Sequence, residues 1–153
     1  MTSDQLLTVI QSHLAGDQVL VDWCLANIDQ VPTIQIDYDE DRQLDDESYP
    51  LISLVTIAGT GRIADPLRNW QLGILVAVRD AAVSSSIDAV TGARLRTYPG
   101  RLLVEGLRDQ VVEALYRSKI GRVSVKDEAG SRTYVPRFYA VFQATISNIT
   151  TKL

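Results

Sequence analysis

Residues 138–147 read FYAVFQATIS and residues 70–79 read WQLGILVAVR. In the first, Phe138, Ala140, Phe142, Ala144 and Ile146 alternate with Tyr139, Gln143, Thr145 and Ser147. In the second, Trp70, Leu72, Ile74, Val76 and Val78 take the even positions. A two-residue period puts one set of side chains on one face of a strand, so both stretches predict strands with a buried face. At ~3.3 Å per residue the later strand spans roughly 35–40 Å. Its length predicts an edge strand that pairs with something outside its own sheet.

Upstream, Ile34, Ile36 and Tyr38 alternate with Thr33, Gln35 and Asp37, and Leu51 to Ala58 follows Tyr49-Pro50 as an apolar strand. Gly59 to Asn69 contains two glycines and Asp65-Pro66, which predicts a loop. Ser84 to Thr97, with three consecutive serines and Gly92, reads mostly as connection. Val123 and Val125 begin a strand, Asp127-Glu128-Ala129-Gly130 supplies a hairpin turn, and Thr133 to Val135 returns until Pro136 interrupts.

Three helices accompany these strands. Thr2 and Gln5 have capping-box spacing, and Leu6, Val9, Ile10 and Leu14 form one apolar face. Gly16 ends that helix, and Asp17 caps a second through Leu20, Trp23, Cys24 and Ile28. Pro99 sits where a helix tolerates proline, after which Leu103, Leu107, Val111, Ala114 and Leu115 form a buried stripe as far as Gly121. Arg101–Glu105 and Glu113–Arg117 are spaced as i,i+4 ion pairs on its outer side. Without βαβ alternation or an internal repeat, this order predicts a single α+β domain. Its sheet is largely antiparallel, with amphipathic helices packed on one face.

The 153 residues suit one domain and bury enough surface to need no metal or disulfide staple. One cysteine, Cys24, excludes an internal disulfide framework and fits a reducing compartment. MTSDQLL lacks the basic start and apolar core of a signal peptide, and no apolar run approaches the ~20 residues of a membrane span. The expectation is a protein made in a cytoplasm, without a membrane partner.

Charge is segregated along the chain. Residues 1–60 hold eleven acids and one base, Arg42, a net of −10; the remainder holds fourteen bases and eight acids, a net of +6. A domain polarised in this way attracts copies of itself head to tail. Seven of the eleven residues from Asp37 to Glu47 are acidic, which predicts an exposed excursion. The candidate interface combines Asp37, Asp39, Glu40 and Asp41 with Arg68, Arg94, Arg96 and Arg101. Ile63, Leu67 and the long final strand supply its apolar part.

Catalytic constellations fare poorly. His13 has no second histidine or neighbouring cysteine, and reads as structural or solvent-facing. Cys24 beside Trp23 reads as a small buried hydrophobe. Asp37, Asp39 and Asp41 begin like a calcium loop, but Arg42 and Ser48 stand where that loop needs Gly and Glu. Gly59-Thr60-Gly61-Arg62 lacks the GK[ST] ending of a phosphate loop. Arg94, Arg96 and Arg101 around Tyr98 resemble a nucleic-acid contact, against which the overall acidity weighs. Asp109 and Glu113, one turn apart, lie opposite the buried stripe. No enzyme activity, cofactor or metal is expected.

The N-terminal amphipathic helix, the PTIQIDYD segment, Tyr49-Pro50-Leu51-Ile52, WQLGILVAV, Tyr98-Pro99-Gly100 and Pro136-Arg137-Phe138-Tyr139 occur in an order that resembles tail terminator (tail completion) proteins of long-tailed bacteriophages. The resemblance covers nearly the whole chain and is one of element order. It implies a virion protein, made in the host cytoplasm, that forms a hexameric ring. Such a ring caps the tail tube protein, ends its polymerisation and joins it to neck or connector proteins. An acidic lumen would let genomic DNA pass without sequence-specific binding. The family has no catalytic residues to carry over. The alternatives are a related neck or head-completion connector, or, in a different class, a small cytosolic ligand-binding domain or enzyme, which would show a pocket with convergent polar groups.

Overall fold

A computed structural model describes residues 2–37, 45–60, 68–127 and 132–149. Helix α1 (Ser3–Gly16) opens with the capping box: the Gln5 N–H donates to Thr2 Oγ1 at 3.3 Å and the Thr2 N–H to Gln5 Oε1 at 2.8 Å. Leu6, Leu7, Ile10 and Leu14 are buried, and Val9 is half-buried. Leu7 joins the core because α1 packs against the sheet and against another helix at once, which widens its buried arc.

Asp17 ends α1 and starts α2 (Gln18–Ile28). Its N–H donates to the Leu14 carbonyl, and its carboxylate accepts from the Leu20 N–H at 3.0 Å. Helix α3 (Pro99–Ser118) sends Arg117 back to the same carboxylate, Nε and Nη2 each at 2.9 Å. This fork replaces the expected Glu113–Arg117 pair, because it offers two parallel charge-assisted bonds to an acceptor already held in place. Arg101–Glu105 forms as expected, at 3.0 Å. Along α3 the buried residues are Gly100, Val104, Leu107, Val111, Ala114 and Leu115. Leu103 is only half-buried, and Val104 takes its place. Lys119, with φ 53°, makes the left-handed C-cap expected at Gly121. Gly121 meets a different need: a Cβ there would press on the Ser147 carbonyl oxygen.

The Arg117 guanidinium, ahead of the cap bonds, holds the Asp17 carboxyl below its ordinary value of 3.8. A depressed carboxyl stabilises the fold fully above its unfolded pKa and loses that contribution as pH falls through the folded value. Asp17→Asn keeps a capping oxygen but removes the charge, and is expected to lower stability at pH 7 by up to ~1 kcal/mol. Asp17→Ala also removes the cap, for a loss of about 1–2 kcal/mol. Urea unfolding at pH 7 and near pH 3 checks both, and the Asn difference is expected to shrink at the lower pH.

The described residues form eight strands: β1 (Thr33–Ile36), β2 (Leu51–Thr60), β3 (Asn69–Arg79), β4 (Ser84–Ile87), β5 (Arg94–Thr97), β6 (Arg122–Asp127), β7 (Arg132–Tyr134) and β8 (Arg137–Ser147). The main sheet runs β1-β2-β3-β8-β6, with β7 also on β8. Among the described residues only the β1–β2 pair is parallel. The fold is α+β.

The final strand is not an edge. Its flanks are taken by β3, with Phe142 opposite Ile74 and Ala144 opposite Leu72, and by β6 and β7. Alternation fixes which face a residue looks to, and says nothing of how many neighbours a strand has. The proposed hairpin between β6 and β7 is corrected too. Both strands run antiparallel to β8, along successive parts of one edge, so β7 continues the direction of β6. The chain reverses at Val135-Pro136, a two-residue turn with a cis peptide bond that sets Tyr134 opposite Arg137. Residues 128–130 of the expected turn lie outside the described residues.

Two expected connections are partly strand. β2 extends past Ala58 to Thr60, after an irregularity at Ile57, and pairs Gly59 with Trp70 and Thr60 with Asn69. Ser84 to Thr97 forms the antiparallel β4–β5 hairpin. β1 stops where Asp37 turns to φ 69°, and Tyr38 lies outside the described residues.

Ile52 and Leu54 of β2, the even residues of β3 from Trp70 to Val78, and those of β8 from Phe138 to Ile146 share one core with the helices. On the opposite face Tyr49, Leu51 and Ala77 form a smaller buried cluster beside Leu75 and Tyr139.

Candidate functional site

The described members of the expected interface lie at the end of β1, just before β3, on β5 and on α3. Asp37 is exposed at the end of β1, where its carbonyl accepts from Ser53 Oγ at 2.6 Å. Asp39, Glu40, Asp41, Ile63 and Leu67 lie outside the described residues. Of the rest of the acidic run, Asp45, Asp46 and Glu47 are exposed, and Asp46 pairs with Arg79 at 2.9 Å. Arg68 lies immediately before β3, with its guanidinium 4.3 Å from the Trp70 ring centroid. Arg101 is engaged by Glu105. Arg94 and Arg96 are exposed on β5, and neither pairs with a carboxylate among the described residues. Among the described residues, then, the expected basic members stand just before β3, on β5 and on α3, and Asp37 at the end of β1. The alternating apolar side chains of the final strand, Phe138 to Ile146, are in the core and so are not available to an interface.

The β4–β5 hairpin was missed. Every residue of both strands is exposed. Opposed residues share a face. Ile87 with Arg94 and Ser85 with Arg96 occupy one side; Ser86 with Leu95 and Ser84 with Thr97 occupy the other. The tip is ordered by Asp88, whose carboxylate accepts from the Thr91 N–H at 2.7 Å, Thr91 Oγ1 at 2.8 Å and the Val90 N–H at 3.1 Å. These bonds, those from Thr91 foremost, hold its carboxyl below the usual range. Gly92, at φ 73°, supplies the left-handed residue that brings the chain back. The result displays Val90, 92% exposed, at the apex and Ile87, 71% exposed, beside it. The sequence signal was the Asp88-Ala89-Val90-Thr91-Gly92 turn chemistry.

On the helical side a groove of about 460 Å³ is lined by Gln11, Ser12, Ala15, Val21, Val31, Pro32 and Ile34. Its Gln11 amide donates to the Ile34 carbonyl at 2.9 Å. None of its lining residues among the described ones is titratable, and what it offers is docking volume. Cys24 is buried, and burial pushes its thiol up to about 11, which keeps it protonated at neutral pH. His13 is exposed. Among the described residues no group of three or more His, Cys, Asp or Glu side chains is placed to hold a metal ion, and no helix is long and apolar enough to cross a membrane.

A scan against models of known protein families finds no match. A search of curated proteins finds no significant relative.

Proposed function

We propose that this chain is a structural subunit of a phage tail, a terminator that assembles into a ring on the end of the tail tube and joins it to the neck. The observation that carries the assembly part is the division of charge along the chain, together with a hairpin whose apolar side chains are exposed and whose Arg94 and Arg96 pair with no carboxylate among the described residues. Opposed surfaces on different sides of a subunit make heterologous contacts, and such contacts close into rings when the rotation permits. The phage assignment rests on the resemblance in element order. Exposed ion pairs contribute only about 0–1 kcal/mol each, so apolar contacts carry much of the ring and charge sets orientation and association rate.

Imaging of the assembled particle tests the reading. The expected result is six copies in a ring about the tail axis; a single copy, or a two-fold dimer away from that axis, would overturn it. Raised salt is expected to slow assembly more than it dissociates a finished ring. Light scattering during assembly and after a salt jump checks this.

A further inference from the structure

We infer that the β4–β5 hairpin is an assembly arm that seats in the α1–α2–β1 groove of a second copy of this chain. The inference rests on the ring reading above and supplies one of its contacts.

The arm lacks what normally sustains such an element. Two paired strands without a third or a covering helix are marginal in water. Here neither strand buries a side chain, while Val83, Ile87, Val90 and Leu95 are all about half-exposed or more. The side-chain and backbone bonds at Asp88 nevertheless hold the tip in one shape. An ordered, projecting and apolar tip marks a contact with another surface.

Charge selects the occupant. Arg94 and Arg96 share a face with Ile87 and have no carboxylate partner among the described residues. Residues 2–37, which build the groove, hold five acids and no Lys or Arg. Asp17 is engaged by Arg117. Asp22 adjoins the lining residue Val21, and Asp29 lies two positions before the lining residue Val31. Asp22 accepts from the neutral Gln18 amide at 2.7 Å and pairs with no cation among the described residues. The groove's volume falls in the range that admits drug-sized ligands, so it accommodates a valine and an isoleucine side chain. Gln11 already occupies the Ile34 carbonyl at the β1 edge, which favours side-chain insertion over addition of a strand. Arm and groove are different patches, so the contact repeats head to tail.

Cysteine cross-linking of the full chain tests this. Val90 and Val31 are 92% and 59% exposed, so Val90→Cys and Val31→Cys leave the core untouched, and the buried native Cys24 gives little background. The two single variants are mixed under oxidised glutathione. The mixed Val90→Cys/Val31→Cys disulfide is expected to exceed both self-linked products. Adding Arg94→Glu and Arg96→Glu to the first partner is expected to cut the yield at least about tenfold, because like charges then face each other. Asp22→Lys and Asp29→Lys in the second partner are expected to restore it. Absence of the mixed product, dominance of either self-linked product, or a yield indifferent to the charge reversals would overturn the arm. Particle imaging judges the ring separately: a ring without the mixed product removes the arm alone. A chain carrying both cysteines is expected to give a covalent ladder that stops at a closed species. A mixed product whose ladder runs on without closure keeps the arm and counts against the ring.

Discussion

Truncating Phe142 to alanine is expected to destabilise the protein by about 3–5 kcal/mol. Phe142 is fully buried near the middle of β8, opposite Ile74 of β3 on one side and Asp127 of β6 on the other. Its ring is among the largest fully buried side chains and belongs to the core that joins sheet and helices. Since β8 is held on both flanks, the backbone cannot close over the space left behind, and the loss combines transfer and cavity terms. Urea unfolding should show a lower midpoint with an unchanged slope. Leu102, on the outer side of α3 and 68% exposed, is the matching control, and Leu102→Ala is expected to change stability by less than about 0.5 kcal/mol. A Phe142 loss below about 1 kcal/mol would contradict the central placement of β8.

Gly100→Val is expected to cost about 1–3 kcal/mol, even though valine ordinarily suits a helix better than glycine does. Gly100 lies in the first turn of α3, and a Cβ there would collide with the ring of Phe138. Phe138 is itself 1% exposed, so its ring has nowhere to retreat without disturbing the start of β8. Gly100→Ala should therefore destabilise as well, which reverses the usual sign of a glycine-to-alanine change in a helix. Gly16, in the last turn of α1, provides the contrast: a Cβ there meets nothing within 4 Å. Gly16→Ala is expected to stabilise by about 0.4–1 kcal/mol through the unfolded chain. Thermal melts of the three variants separate the two cases, and a gain at Gly100 would mean that α3 and β8 are not in close contact there.

These placements show which parts of the fold local chemistry encodes. The capping box at Thr2, the proline entry to α3 and the alternation in β3 and β8 were legible because each is written within a few residues. Neighbour relations were not. The interior position of β8 depends on β6 and β7 taking its second edge, and no periodicity records that. Likewise, Asp127 to Gly130 has the composition of a reversal, but the reversal falls at Val135-Pro136. The β4–β5 hairpin escaped because alternation becomes visible only when one face is buried, and this element buries neither. Arg117 has a carboxylate at the right helical spacing, Glu113, but bonds to Asp17, one hundred residues away. Of the candidate interface, the segregation of charge was readable, whereas the hairpin that displays Arg94 and Arg96 required the fold.

The central place of β8 also governs how the sheet is made. β3 must wait for a strand that lies beyond β4, β5, α3 and the rest of the intervening chain, so the pairing that unites the sheet is its most non-local one. Closing so long a segment slows folding far more than it weakens the finished structure. Until β8 arrives, β1-β2-β3 presents the full hydrogen-bonding edge of β3 and its even-numbered apolar residues to whatever else is nearby, including the same unfinished edge on another chain. Loss of β8 would remove the sheet partner that β6 and β7 have among the described residues and separate them from β1-β2-β3. Damage at this strand divides the sheet, whereas damage at β1 merely shortens it.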